Sequence, residues 1–233
     1  MIGATARLLA WDGCINVRDL GGLPLADGRE TNFGVAVRAD SIRRLTDAGW
    51  RSLVDYGVRL AVDFRGDDEL ANDPPAEPPV EIVRFAMPGR EVPVVWEWPT
   101  MHDAYVGLLG RFQPELTSAV TTVARAEAPV VIHCHGGRDR TGLACALMLR
   151  LAGVPLEAIA ADHALSDESW APYNEEWWAE APDEWERERR RRVTTRAGTT
   201  MADVLGDLDV VAYLRRGGAT SQDLDTLVLR LAG

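Results

Sequence analysis

Residues 131–142 of the chain read Val131-Ile132-His133-Cys134-His135-Gly136-Gly137-Arg138-Asp139-Arg140-Thr141-Gly142. An apolar run ends at His133, a glycine-containing loop follows, and a second apolar run begins near Thr141. The pattern predicts a buried parallel strand, a tight loop and a buried helix in succession. In such an arrangement the loop amides converge on one point, to which the helix N-terminus adds positive potential. We therefore expect this loop to bind an anion of the size of phosphate.

The segments around the loop alternate between strand-like and helix-like patterns. Alternating apolar residues over 58–64 and 80–85 predict two half-buried strands. Helix-compatible spacing occurs over 105–109, 116–126, 141–151 and 41–47, with Ser41 as a candidate N-cap for the last of these. The predicted fold class is therefore α/β, with a central, mainly parallel sheet flanked by helices.

The composition restricts the function. The 233 residues carry 36 acidic and 25 basic side chains, a net charge of −11, which argues against a nucleic-acid partner. Three cysteines, Cys14, Cys134 and Cys145, are too few for a disulfide framework and favour a reduced, cytoplasmic protein. The longest clean apolar run, residues 143–149, is far shorter than the ~20 residues of a membrane-spanning helix. We expect no signal peptide, while export by a signal-less route stays open.

No linker or repeat divides the sequence, so we expect one domain over residues 1–233. A segment at about 166–200 differs in composition from the rest. It holds four tryptophans, Trp170, Trp177, Trp178 and Trp185, followed by a strongly charged run over 186–192. Such a segment fits an inserted helical pair, and its tryptophans fit either the core of those helices or a lid over the loop.

Two side chains of the loop indicate nucleophilic chemistry at a bound phosphate. The loop amides and the helix end favour the thiolate form of Cys134, and a thiolate is a good nucleophile at neutral pH. Arg140 lies at the end of the loop, where its guanidinium can hold two phosphoryl oxygens. With the amides from His135 to Arg140 it stabilises the charge of the reaction, so we predict no metal and no cofactor. The adjacent residues His133, Cys134 and His135 cannot all face one ion.

The spacing His-Cys-x5-Arg-Thr-Gly resembles the signature of the cysteine-based phosphatases of the tyrosine, dual-specificity and phosphoinositide types. Four flanking stretches resemble motifs of the bacterial tyrosine phosphatase B family: Asn16-Val17-Arg18-Asp19-Leu20-Gly21-Gly22, Val37-Arg38-Ala39-Asp40, Val62-Asp63-Phe64-Arg65 followed by Glu69, and Asp162-His163-Ala164-Leu165-Ser166. The likeness covers nearly the whole chain and implies a cysteine-phosphatase fold with a helical lid. Three positions depart from the family pattern. Arg138 stands in place of a lysine, His163 stands in place of a tyrosine, and the second loop residue is His135, which adds a titratable group beside the phosphate.

The general acid stays open between several carboxylates. The family resemblance implies Asp139 within the loop, as in myotubularin-like phosphatases, and its proximity to the phosphate favours it. Asp63, at the end of a predicted strand, and Asp103 are the alternatives. The string nearest to the mobile-loop acid of ordinary tyrosine phosphatases, Trp98-Pro99-Thr100, lacks the carboxylate.

Other residues are assigned supporting roles. We predict that His133 hydrogen-bonds to the loop and holds Cys134, and that Thr141 caps the following helix or donates to the Cys134 sulfur. Arg18 and Arg38 are interpreted as residues that pin the loops near the site. Asp63 is a further candidate supporting residue.

The resulting hypothesis is a phosphatase of phosphomonoesters, foremost phosphotyrosine in proteins. A phosphoinositide or dual-specificity phosphatase is the nearest alternative, in which His135 and Arg138 help to accept an inositol ring. A catalytically silent phosphate-binding module is a second alternative, although Cys134, Arg140 and Asp139 are all present. A sulfurtransferase is a third, disfavoured by the five residues between Cys134 and Arg140.

Overall fold

A computed structural model describes residues 4–72, 77–87, 100–194 and 197–233. Five strands form one sheet in the order β1-β2-β5-β3-β4 within these residues. All neighbouring strands are parallel except β1 and β2, which are antiparallel. Their bounds are Arg18–Asp19 (β1), Ala36–Ala39 (β2), Leu60–Asp63 (β3), Glu81–Arg84 (β4) and Val130–His133 (β5). The predicted α/β fold with a mainly parallel sheet is thereby confirmed.

Helices lie on both sides of this sheet. Those before β5 are α1 (Asp47–Asp55), α2 (Asp67–Asn72), α3 (Met101–Arg111) and α4 (Gln113–Arg125). Those after it are α5 (Asp139–Leu151), α6 (Leu156–Ala179), α7 (Glu184–Thr194), α8 (Ala197–Gly206), α9 (Val210–Arg216) and α10 (Ser221–Ala232). Within the described part of the chain, no helix has the length and apolar content needed to cross a bilayer.

The central strand β5 is apolar throughout because both of its faces are covered. Val130 and Ile132 pack into the larger core, which includes α3, α4, α5 and the C-terminal helices. Val131 points to the smaller core on the opposite face of the sheet, with Trp11, Leu53 and other residues of the N-terminal half. The helix α5 is likewise buried from Arg140 to Leu149, which explains its continuous apolar sequence.

The register of the inner strands brings their carboxyl ends to one edge. His133 is paired with Ala39 of β2 on one side and with Asp63 of β3 on the other. The residues that follow these three strand ends therefore meet at one place. In a parallel α/β sheet this edge is where ligands bind.

Two local predictions are wrong. The stretch 41–47 is not a helix capped by Ser41: it is a single 3-10 turn over Ile42–Arg44, and α1 begins only at Asp47 with Thr46 as its N-cap. Leu45 has an extended backbone (ψ 130°), which separates the two. The strand β3 is not half-buried: three of its four residues are buried, because it lies between β5 and β4 inside the sheet.

The helical segment predicted over 166–200 comprises the second half of α6, the whole of α7 and the start of α8. The C-terminal half of α6 is held against α7 by pairs of tryptophan and arginine. Arg190 lies 4.9 Å from the ring centre of Trp177, and Arg191 lies 5.7 Å from that of Trp178. The arginine run is thus in part a packing surface for the tryptophans.

Candidate active site

The carbonyl oxygens of the loop after β5 accept hydrogen bonds from outside the loop. The amide of Ser41 donates to the His135 carbonyl at 3.0 Å. The Gly136 carbonyl accepts two hydrogen bonds, from Asn16 Nδ2 at 2.9 Å and from Trp170 Nε1 at 2.8 Å. Because the C=O and N–H of a trans peptide point in opposite directions, these outward carbonyls direct the following amides into the loop. The predicted amide cradle is therefore held open by donors from distant elements.

The next peptide of the loop is fixed in the same way. Arg38 Nη2 donates to the Gly137 carbonyl at 2.9 Å. Gly137 has a φ of +65°, and a Cβ at this position would lie 2.4 Å from the carbonyl oxygen of Ala39. Both the backbone conformation and the close approach of β2 require glycine here.

A buried carboxylate behind the loop organises the arginines that reach it. Asp162 of α6 accepts hydrogen bonds from Arg18 Nε at 3.0 Å and from Arg38 Nη1 at 2.8 Å, and it also pairs with Arg7. Ser166, one turn further along α6, accepts from the same Arg18 and Arg38. Burial alone would raise the pKa of Asp162, but the three arginines hold it far below its ordinary value. These contacts bring together flanking motifs that lie far apart in the sequence.

Cys134 is the first residue after β5, and its side chain is buried. His133, immediately before it, is fully buried, with Nδ1 3.4 Å from the Cys134 carbonyl oxygen. Burial lowers the pKa of His133 to about 4, against the opposite influence of Asp63. His133 is therefore neutral at neutral pH and adds no charge beneath the loop.

Asp63 is paired in place at the end of β3. Its carboxylate accepts from Arg65 Nε at 3.0 Å and from Arg65 Nη2 at 2.7 Å, and it lies 3.8 Å from His133 Nε2. Burial would raise the pKa of Asp63, but His133 and Arg65 lower it below the ordinary value. Asp63 is thus an ionised partner of Arg65 at neutral pH, without a proton to donate.

Arg140 is held at the end of the loop by a carboxylate from α2. Its Nη1 and Nη2 donate to Glu69 Oε2 at 2.6 Å and to Oε1 at 2.7 Å, a bidentate pair. Its Nη1 also lies within 3.3 Å of the carbonyl oxygens of Phe64 and Met87. Burial would lower the pKa of Arg140, but Cys134 and Glu69 raise it above the ordinary value. The guanidinium therefore stays charged and fixed beside the cysteine.

Asp139 is the first residue of α5, and about a third of its side chain is exposed. Its Oδ1 accepts a hydrogen bond of 2.7 Å from the hydroxyl of Tyr105. Asp103 lies elsewhere, at the start of α3, where its carboxylate accepts from the hydroxyl of its N-cap, Thr100, at 2.6 Å. Trp98 and Pro99 lie outside the described residues.

The prediction that Thr141 caps the following helix is wrong. The helix α5 begins at Asp139 with Arg138 as its N-cap, so Thr141 lies within the first turn. Its buried hydroxyl makes no hydrogen bond to any residue that the structure describes. The hydroxyl is consequently not bonded to the Cys134 sulfur in this structure.

The rim of the loop combines aromatic and basic side chains. Arg44 Nη2 lies 3.1 Å from His135 Nε2, and its guanidinium lies 5.6 Å from the ring centre of Trp170. Two of the basic side chains described beside the loop, Arg44 and Arg138, are matched by acids. Arg44 is 3.6 Å from Asp40, and Arg138 Nε donates to Asp167 at 2.7 Å.

Four residues in the site were given no individual role by the sequence reasoning. In the sequence, Asn16 and Glu69 were recognisable only as members of flanking motifs, and Trp170 only as part of a tryptophan-rich segment. Tyr105 carried no signal, since it is one apolar position in a helix pattern. Each reaches the loop through a tertiary contact that local sequence does not encode.

The site thus combines loop amides turned inward, a buried cysteine next to them in sequence and a fixed guanidinium, a combination that suits displacement at phosphorus by sulfur. This is the chemistry that defines the cysteine-based phosphatases as a class. Within that class, the chain belongs to the tyrosine phosphatase family, whose profile it matches over residues 9–233. The family resemblance predicted from the motifs is thereby confirmed.

Individual relatives share between a quarter and about a third of their residues with this chain over the aligned regions. The chain is 34% identical over 139 residues to a tyrosine-protein phosphatase of Nostoc commune, covering 56% of this chain and 47% of that protein. It is 25% identical over 171 residues to the triple specificity protein phosphatase PtpB of Mycobacterium tuberculosis, covering 58% and 62%. The chain thus spans about half to two thirds of the length of these curated relatives. Among solved structures, it is similar to the Siw14 catalytic core, with a TM-score of 0.47, 14% identity, and coverage of 83% of this chain and 91% of that one.

Proposed function

We propose that this chain hydrolyses phosphomonoesters through a cysteinyl-phosphate intermediate, with phosphotyrosine in proteins as its main substrate. The observation that carries the proposal is the outward hydrogen bonding of the loop carbonyls. By the geometry of the trans peptide, it turns the amides of Gly136, Gly137 and Arg138 into the loop that follows Cys134. A loop that merely connected a strand to a helix would not need four external donors.

The first step transfers the phosphoryl group to the enzyme. The Cys134 thiolate attacks phosphorus, an S–P bond forms and the P–O bond to the substrate breaks. The leaving oxygen takes a proton from the carboxyl group of Asp139, which is exposed at the N-terminus of α5. Of the other two candidate acids, Asp63 is held by Arg65, and Asp103 accepts a hydrogen bond from Thr100, the N-cap of α3.

The second step returns the enzyme to its starting state. The Asp139 carboxylate accepts a proton from a water molecule, whose oxygen attacks phosphorus. The S–P bond breaks, inorganic phosphate leaves and the Cys134 thiolate is restored. In both steps Arg140, oriented by Glu69, stabilises the charge on the phosphoryl oxygens that do not react.

The rim of the loop supports an aryl phosphate as substrate. An inositol ring bearing several phosphates would need unpaired cations beside the loop. Among the residues that the structure describes, two basic side chains at this rim face carboxylates instead, Arg44 near Asp40 and Arg138 on Asp167. The indole of Trp170 offers an aromatic surface at the same rim.

We further propose that residues 1–233 act as one phosphatase domain, and that the helical segment over about 166–200 serves as a lid. The hydrogen bond from Trp170 to Gly136 supports this role, because it links that segment directly to the loop. A cytoplasmic location is proposed from the three cysteines, all of which are unpaired.

The test is phosphate release from a matched panel of a phosphotyrosine peptide, a phosphoserine peptide and phosphoinositides. We expect release foremost from phosphotyrosine, abolished by Cys134→Ser, with binding of orthovanadate retained by that variant because the cradle survives. Cys145→Ser is the matched control, since burial raises the pKa of Cys145 to about 12 and keeps it a thiol.

Three results would contradict the proposal. Turnover by Cys134→Ser would exclude the covalent mechanism. Vanadate binding without release from any member of the panel would favour a silent binding module. Transfer of sulfur from thiosulfate to cyanide would favour a sulfurtransferase.

A further inference from the structure

We infer that Tyr105, anchored by His163, positions Asp139 for proton transfer. The inference rests on the proposed function, in which Asp139 is the general acid. Tyr105 lies on α3 and His163 on α6, so that two helices remote in sequence converge on the first residue of α5. The Tyr105 hydroxyl lies 2.7 Å from Asp139 Oδ1 and 3.0 Å from His163 Nε2.

The direction of these hydrogen bonds follows from the number of protons. Asp139 Oδ1 can only accept, both in the carboxylate and in the acid that carries its proton on Oδ2, so the single hydroxyl proton of Tyr105 is donated to Asp139. The Tyr105 oxygen then accepts from His163 Nε2–H, which leaves Nδ1 of His163 without a proton. Nδ1 makes no hydrogen bond to the described residues and packs against Gly142, where an added Cβ would lie 2.6 Å away. Burial, with Arg38 and Arg138, holds the pKa of His163 well below its ordinary value, in keeping with this neutral form.

The packing around Tyr105 fixes the orientation of its side chain. Its side chain is fully buried, and its ring meets the His163 imidazole edge-on, with centroids 5.9 Å apart. Burial and Asp139 raise the pKa of Tyr105 well above its ordinary value, so the phenol remains a donor. A rigid donor on Oδ1 orients the carboxyl group and leaves Oδ2 to carry the proton for the leaving oxygen.

The other charged neighbours of Asp139 do not replace this contact. Arg138 Nη1 is 3.9 Å from Asp139 Oδ1, beyond hydrogen-bond distance, and Arg138 is bonded to Asp167. Arg140 influences Asp139 electrostatically but directs both terminal nitrogens at Glu69. Tyr105 is therefore a positioning residue that acts through Asp139.

The experiment compares Tyr105→Phe with Tyr213→Phe. Tyr213 is also buried, and its hydroxyl donates to the Leu109 carbonyl of the same helix α3 at 2.8 Å, away from the loop. The substrates are a phosphoserine peptide, whose alkoxide needs a proton to leave, and p-nitrophenyl phosphate, whose phenolate needs little help. We expect Tyr105→Phe to lower kcat for phosphoserine about tenfold and for p-nitrophenyl phosphate much less, with KM unchanged. Tyr213→Phe should change neither.

A double-mutant cycle tests that Tyr105 acts through Asp139. In an Asp139→Asn background, Tyr105→Phe should have no further effect. Equal losses on both substrates, or effects that multiply in the double mutant, would overturn the inference. If Tyr105→Phe does not fold, His163→Gln is measured in its place and should produce the same preferential loss.

A structural readout separates this inference from the proposed function. If the wild-type chain releases no phosphate, the proposed function fails, and crystal structures of the two phenylalanine variants decide the contact. Asp139 should leave its rotamer in Tyr105→Phe and keep it in Tyr213→Phe. An unchanged Asp139 in both variants would refute the positioning role whatever the activity.

Discussion

Replacement of Asp162 by asparagine tests how strongly the buried network supports the fold. The Asp162 carboxylate accepts charge-assisted hydrogen bonds from Arg7, Arg18 and Arg38, and all four side chains are buried. Asparagine keeps the shape but presents an NH2 group to one of these guanidinium groups, donor against donor. It also leaves the arginines without their compensating charge.

The size of the effect follows from these contacts. Hydrogen bonds to charged groups are each worth about 1.5–3 kcal/mol, and breaking a buried ion pair from one side costs about 3–5 kcal/mol. We expect Asp162→Asn to lower the free energy of unfolding by about 4 kcal/mol, near the middle of that range. For a chain of this size, each kcal/mol shifts Tm by roughly 2–4 °C, so Tm should fall by about 8–16 °C.

The assay is urea and thermal unfolding at several pH values. The folded-state pKa of Asp162 is depressed, so its contribution is complete above the ordinary carboxyl range. The difference between wild type and Asp162→Asn should therefore be constant from about pH 6 to 8 and shrink below about pH 4. Asp27→Asn is the control, because Asp27 and its partner Arg29 are both more than half exposed, and should leave Tm unchanged. A loss below about 1 kcal/mol for Asp162→Asn at pH 7 would refute the reasoning.

Two further predictions concern the loop itself. Glu69→Gln should reduce kcat/KM about tenfold with the fold intact, because Arg140 loses the charge of its bidentate partner; steady-state kinetics with equal far-UV spectra checks this, and unchanged kinetics would show that Glu69 does not orient the arginine. Gly137→Ala should abolish binding of orthovanadate by calorimetry, since its Cβ would lie 2.4 Å from the Ala39 carbonyl oxygen. Gly34→Ala, also at positive φ but with open space around the Cβ, should retain it, and equal behaviour of the two glycine variants would contradict the steric argument.

The centre of the fold was predictable because its signals are local. The apolar run up to His133, the glycines and the apolar run after Thr141 lie in one stretch of sequence and define strand, loop and helix. The sequence did not predict that the stretch after Ser41 forms only a single 3-10 turn, over Ile42–Arg44. That turn depends on the extended backbone of Leu45 and on the hydrogen bond from the Ser41 amide to the His135 carbonyl.

The partners of the site residues were not predictable for a different reason. Cys134, Arg140 and Asp139 are recognisable from their spacing within the loop. Glu69 and Tyr105 reach them from 71 and 34 residues away in sequence. Contacts of that separation follow from the packing of helices against the sheet, which a single sequence pattern does not specify.

The four donors that hold the loop open come from β2, from Ser41 after β2, from α6 and from the segment before β1. A transplant of residues 133–142 into another strand–loop–helix unit would carry the glycines, the cysteine and the arginine but none of these donors. Its peptide groups would then be free to turn their carbonyl oxygens inward, and an inward carbonyl repels an anion. A designer who wishes to build this phosphate cradle elsewhere has to import the surrounding scaffold, Asn16, Arg38 and Trp170 included, together with the ten residues that bear the signature.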